Sequence, residues 1–221
     1  FSETSIKMIV SLFNSTTGTF EGCTKLKTVK LPDTVTQFYS QTFKNCTALE
    51  EINIPKSIQV IQPQEFLGCS SLKTVDFRGT SVVRLCEEAF KGCTSLTSVY
   101  FGEHENLYID AYAFQDCTNL ETVDCSATNI YSIGNYAFYN CSKLTKIDLS
   151  GSSLETIDNY AFCNCSKLTK IDLSGSSLET IGQSVFRNCT GLEEVILPKT
   201  LKEIGYLAFS GTVIKSLDLS D

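Results

Sequence analysis

The 221-residue chain is expected to fold as one solenoid domain, mostly β and loop, in which a strand recurs once per turn. Three observations predict this. Phenylalanine recurs at Phe20, Phe43, Phe66, Phe90, Phe114, Phe138, Phe162, Phe186 and Phe209, in steps of 23 or 24 residues. A cysteine stands three residues after each of the first eight, from Cys23 to Cys189. Residues 135–157, NYAFYNCSKLTKIDLSGSSLETI, recur at 159–181 with one difference, Tyr139 against Cys163. In a solenoid each unit meets only its neighbours, so duplicated units find equivalent surroundings.

Each part of the unit has its own reason. Leu168, Ile171 and Leu173 open one unit, and Ile171 and Leu173 alternate with Lys170 and Asp172. That period of two marks a strand with one buried face. Such strands, stacked about 4.8 Å apart in parallel, would line the concave side. Leu178, Ile181, Phe186 and Cys189 would close the interior through short turns or 3-10/helical segments on the convex side. Twenty-four residues cannot hold two ordinary helices, and propeller blades need about 40. The 23-residue units carry Leu31-Pro32, Ile54-Pro55 or Leu197-Pro198 after the strand, where longer units have text such as Ser150-Gly151-Ser152-Ser153. Proline presets its torsion and lacks a donor, so it can end the strand in a tighter turn and save one residue.

The unit L-x-x-I-x-L-P-x-x-L-x-x-I-x-x-x-A-F-x-x-C-x-x resembles the BspA-like, or Treponema pallidum-type, leucine-rich repeats, closely so at 192–209, LEEVILPKTLKEIGYLAF. The likeness covers roughly residues 20–219. It implies a leucine-rich repeat solenoid of the α/β class, with a parallel sheet on the concave face. It also implies a non-catalytic module of a cell-surface or secreted protein that adheres to host cells, matrix proteins or other microbes. An intracellular scaffold for protein–protein interaction is the alternative. The Ser-, Asn- and Cys-rich text resembles the protist branch, such as that of trichomonads. Residues 1–19 read as an irregular or truncated repeat and 20–221 as eight to nine units. Phe1, Ile6 and Ile9 echo Phe209, Ile214 and Leu217, so the chain is expected to be a fragment of a longer protein, with anchors and targeting signals elsewhere.

Charge narrows the partners. Eighteen basic and 25 acidic residues give −7, and no basic stripe suited to phosphate backbones appears, which argues against nucleic acid. No run approaches the roughly 18 apolar residues that span a bilayer, so no membrane insertion by this segment is expected. A protein partner is favoured, and a glycan is a second class. Catalysis finds little foothold: there is one histidine, His104, in an expected loop at 102–107, with no G-x-S-x-G and no phosphate-binding G-x-x-x-x-G-K. No cofactor or metal is expected.

The repeat cysteines are expected to form a buried thiol column, since free cysteine is among the most buried residue types. Side chains stacked in parallel point alike, which disfavours disulfides between units. Cys125 takes an inward strand position, and Cys163, standing where Tyr139 does in the twin, is expected to be partly exposed and reactive. Asn45, Asn140, Asn164 and Asn188 precede repeat cysteines in N-x-S/T sequons, and Asn14 lies in a fifth. They are glycan acceptors if the chain is secreted by a eukaryote, or residues that turn the chain; Gly22, Gly68, Gly92 and Asp116 fill the same slot without a sequon, which favours the turn.

Binding residues are expected on the outward row of the concave face, at Asp76, Tyr100, Asp124, Asp148, Asp172, Ile196 and Asp218, beside Lys146 and Lys170. Two readings stand: a solvated ladder in which lysines offset the aspartates, or an acidic stripe for a basic partner with Tyr100 and Ile196 as apolar anchors. On the second, reversing Asp124, Asp148 and Asp172 to lysine would abolish binding and leave folding largely intact.

Overall fold

The computed structural model describes residues 18–215 and 217, with the side chains of His104 and Glu105 excepted. The chain winds as a parallel β-solenoid with two rows of strands. The first row holds Thr28–Val29, Glu51–Ile52, Thr74–Asp76, Ser98–Tyr100, Thr122–Asp124, Lys146–Ile147, Lys170–Asp172 and Glu194–Ile196. They pair in parallel in three stretches: the first two strands, the next four and the last two. This is the row the alternating apolar pattern predicts, and its inward residues are in register from Val75 through Val99 and Val123 to Ile147.

The second row was not foreseen as a sheet. It holds Val60–Ile61, Arg84–Leu85, His104–Ile109, Thr128–Ile133, Thr156–Ile157, Thr180–Ile181 and Glu203–Ile204 in one seven-stranded parallel sheet. Ile61, Leu85, Ile109, Ile133, Ile157, Ile181 and Ile204 share its register, and all but the exposed Ile204 are buried. Each is β-branched or Leu, the residue types that suit a pleated, half-buried surface. The expected loop around His104 is instead the start of a six-residue strand, whose pairing with Thr128–Ile133 shifts register around Leu107.

No helix occurs among the described residues, so the helical detail expected for the convex side is replaced by turns. The reason lies in the backbone bonding. In the turn 41–46, the N–H groups of Gln41, Phe43 and Asn45 donate to Pro63, Glu65 and Leu67 of the next unit at 3.1, 3.0 and 2.7 Å. Those of Thr42, Lys44 and Cys46 donate back three residues, to Tyr39, Gln41 and Phe43. Alternate donors are committed along the axis, which leaves no run of i→i−4 bonds. The alternation needs left-handed residues: Gln41 has φ 67° and Asn45 58°. Left-handed backbone costs an L-residue about 1–2 kcal/mol, offset here by axial bonds that recur in each turn up to Asn188.

Inside, the repeat phenylalanines form one continuous stack with centroids 5.1–5.5 Å apart and planes within 13°. Phe43 to Phe186 are fully buried, whereas Phe20 at the end of the stack is 36% exposed. The thiol column runs beside it. Each Sγ from Cys46 to Cys189 donates to the carbonyl of the preceding unit's phenylalanine at 3.0–3.2 Å. All eleven cysteines are free thiols. The proline reading also holds: four residues separate Leu31 from Val35 and Ile54 from Ile58, but five separate Leu149 from Leu154.

Candidate interaction surface

The outward side of the first row is built on short strands whose inward residues are locked in the core, so its side chains stand on a fixed base. Asp76, Tyr100 and Asp124 lie side by side in register, as do Asp172 and Ile196. The three aspartates of the expected stripe have a second task. Asp124 Oδ1 accepts from Ser126 N and Oγ at 3.2 and 2.8 Å, and Asp148 and Asp172 hold Ser150 and Ser174 in the same way. Each carboxylate therefore closes the turn that follows its strand. The Ser150 hydrogen bond, with Lys146 beside it, holds the Asp148 carboxyl below its usual range. Replacing these residues by lysine would remove the turn acceptor along with the charge, so a reversal is not neutral for folding.

The lysines lie where the repulsion between aspartates requires them. Lys146 Nζ is 3.6 Å from Asp148, while Lys170 Nζ is 4.0 Å from Asp172 and 2.7 Å from Glu194. Ile196 is half-buried beside them. Asp218 and Asn14 lie outside the described residues.

Arg78 is the surface residue that the sequence reading missed. Its guanidinium forks onto Asp76, Nε to Oδ1 at 2.9 Å and Nη2 to Oδ2 at 2.6 Å, and lies 4.8 Å above the Tyr100 ring. This Arg holds the Asp76 carboxyl below its ordinary range. Where other units read Asp-x-Ser, this one reads Asp76-Phe77-Arg78, and that break was the available signal. Nearby, Thr28, Lys30, Glu51, Asn53, Asp76 and Arg78 border a groove of about 600 Å³. A groove of about 630 Å³ opens on the second sheet, between Glu155, Asp158 and Glu179.

Two other expectations resolve at the convex turns. The slot before the repeat cysteine is left-handed in every described unit: Asn45, Asp116, Asn140, Asn164 and Asn188 have φ of 58–65°, and Gly22, Gly68, Gly92 and Gly211 take it at 71–78°. Asn140 Nδ2 donates to Asp116 Oδ1 at 2.8 Å and Asn188 Nδ2 to Asn164 Oδ1 at 3.0 Å, so the amides also bond along the axis. Turn geometry thus accounts for the asparagines whether or not they carry glycans. Cys163, expected to be partly exposed, is 4% exposed, and burial pushes its thiol pKa up. On the same row of neighbouring units, Gln115 and Tyr139 are part-buried and Arg187 is exposed, so the burial is particular to Cys163. Cys125 is buried as expected and donates to Asp148 O at 3.0 Å. Desolvation lifts the Cys46 and Cys189 thiols to about 11 and about 12. Thiolates are the reactive form, so brief alkylation of the native protein should label exposed Cys23 first and leave Cys163 with the unlabelled column. Fast, selective labelling of Cys163 in a peptide map would overturn this assignment.

Among the described residues, no group of three or more His, Cys, Asp or Glu could hold a metal ion, and no helix is long and apolar enough to cross a membrane. No curated protein matches the chain. Solved structures share the fold. The leucine-rich repeat protein of T. pallidum is 22% identical with a TM-score of 0.59, over 85% of this chain and 77% of that one. A leucine-rich repeat protein from Eubacterium ventriosum is 22% identical with a TM-score of 0.58, over 87% and 60%. The pneumococcal vaccine antigen PcpA is 23% identical with a TM-score of 0.51, over 90% and 67%. The family model described as BspA type leucine rich repeat region (6 copies) matches twice, at residues 1–121 and 107–221. With its units, its strand rows and that match in agreement, the chain belongs to the BspA-type leucine-rich repeat family.

Proposed function

We propose that this chain is a non-catalytic protein-interaction module of a cell-surface or secreted protein, which adheres to host cells, matrix proteins or other microbes through the outward face of the first strand row. One observation carries this reading: Tyr100, on a strand, pairs with Arg78 of the turn after Asp76, and Asp76 and Asp124 flank them in register. Tyr and Arg dominate binding hot spots when packed and oriented in advance. The remaining aspartates and Ile196 extend the surface toward a partner with basic groups. Residues 20–221 act as one repeat domain in this reading. A vaccine antigen among the solved structures of this fold supports a surface location. Eleven free thiols favour the second reading, an intracellular scaffold working through the same face.

The test compares beads coated with wild-type protein and with variants for adhesion to cultured epithelial cells. Tyr100→Ala and Arg78→Ala should each weaken adhesion by about thirtyfold, the factor expected of a 2 kcal/mol hot spot. Asp124→Asn, Asp148→Asn and Asp172→Asn together keep the turn acceptors and remove only charge, so a loss there reports on the partner rather than on folding. Adhesion unchanged in all of these variants would remove this face from consideration.

A further inference from the structure

We propose that Glu65 makes its unit of the solenoid a pH-sensitive element, tightly packed while its carboxyl carries a proton and loosened when the carboxyl ionises. Glu65 occupies an inward row beside the phenylalanine stack, where other units place Thr42, Ala89, Ala113, Ala137, Ala161 and Val185. It is fully buried, and neither carboxyl oxygen has a hydrogen-bond partner. The polar group acting on it from the preceding unit is the Thr42 hydroxyl. That hydroxyl gives its one proton to Tyr39 O at 2.6 Å. With its proton engaged there, Thr42 has none left for a carboxylate at Glu65.

No counter-charge reaches the site. On its own turn, the Cys69 thiol is the titratable group that feels Glu65, and the next unit presents apolar Ala89. The nearby charges on the outer side of the turn are engaged with one another: Lys44 Nζ and Glu88 Oε2 both bond Gln64, and Lys91 binds Glu88. An ionised Glu65 would be a bare charge in a dry core, so burial drives its pKa well above the ordinary carboxyl value of 4.5. With the folded value raised, the folded state holds its proton more tightly than the unfolded one. The stability it contributes is complete below the ordinary carboxyl pKa and is lost as pH rises through the folded value.

The loss is local because of where Glu65 stands. Phe66 beside it stacks on Phe43 and Phe90. Units of a solenoid are held by their neighbours alone, so this unit can open while distant units stay shut.

Native-state alkylation followed by peptide mapping tests this, with Cys141 of the same molecule as reference for Cys69. Both thiols are fully buried and both donate to a phenylalanine carbonyl, so their ratio cancels the intrinsic effect of pH on thiol reactivity. In wild type the ratio of Cys69 to Cys141 labelling should rise by about tenfold or more between about pH 5 and about pH 9, since each pH unit between the ordinary carboxyl pKa and the raised folded one is worth a factor of about ten in the opened population. In Glu65→Ala, which restores the residue of the following units, the ratio should stay flat, and in Glu65→Gln it should be insensitive to pH. A flat ratio in wild type, or an equal rise in wild type and Glu65→Ala, would overturn the proposal.

Discussion

Phe162→Ala should lower the unfolding free energy by about 3–5 kcal/mol, the cost of deleting a buried aromatic ring and leaving a cavity. Both faces of this ring are occupied, by Phe138 at 5.1 Å and 4° and by Phe186 at 5.5 Å and 9°. The ring is wholly buried, and the backbone beneath it is tied on the axis by Phe162 N to Val185 O at 2.9 Å. With strands fixed on two sides, the site has little freedom to collapse, which places the cost toward the upper end of that range. Phe20→Ala is the internal control. Among the described residues its ring stacks on Phe43 alone, and it is part-exposed, so about 1–2 kcal/mol is expected from the smaller area withdrawn from water. Urea unfolding followed by circular dichroism suits a chain with no tryptophan, with coincidence of two probes as the check on two-state behaviour. A cost below about 1 kcal/mol at Phe162, or equal costs at both positions, would mean that the stack is not what holds the units together.

The same stack explains how much of the fold was legible. A residue that faces inward in every unit is written into the sequence at the period of the unit, so Phe20 to Phe209 and Cys46 to Cys189 announced both the solenoid and its core. The first strand row was legible because Ile171 and Leu173 alternate with polar residues. The second row was not, because Leu154 and Ile157 stand three apart with Glu155 and Thr156 between them, a spacing that fits a turn or a helical segment equally well. What made it a sheet is bonding between units, such as Thr156 against Ser132, which no single unit encodes. Surface chemistry was legible in part. The alternation marked an outward row, but the hydrogen bonds that Asp124, Asp148 and Asp172 accept from the serines two residues on are local turn chemistry hidden behind a charge pattern. Arg78 and Glu65 depart from the repeat at single positions. A reading that averages over units passes over such departures, and here they mark the surface anchor and the buried carboxyl.

Asn164→Val should cost about 2 kcal/mol or more, whereas Asn164→Gly should change stability by no more than about 0.5 kcal/mol, measured on protein made in a bacterial host and so free of N-glycan. The backbone at Asn164 is left-handed, φ 65°, and its N–H donates to Arg187 O at 2.9 Å, so the residue cannot relax to ordinary torsions without losing that bond. Left-handed backbone costs an ordinary L-residue about 1–2 kcal/mol and is worse for a β-branched one, while Asn tolerates it and Gly adopts it freely. Gly22, Gly68, Gly92 and Gly211 already fill this slot elsewhere in the chain. Gly would forfeit only the Asn188 Nδ2 to Asn164 Oδ1 bond, an exposed one. Ser166→Ala is the control within the same turn, because it leaves the left-handed residue in place and removes only the Ser166 Oγ bond to Ser142 O at 3.2 Å. Full stability in Ser166→Ala beside a large loss in Asn164→Val would mean that asparagine is there to turn the chain. If Asn164→Val were instead as stable as wild type, backbone conformation would not explain the asparagines before Cys46, Cys141, Cys165 and Cys189, and glycan attachment would become the leading account of them.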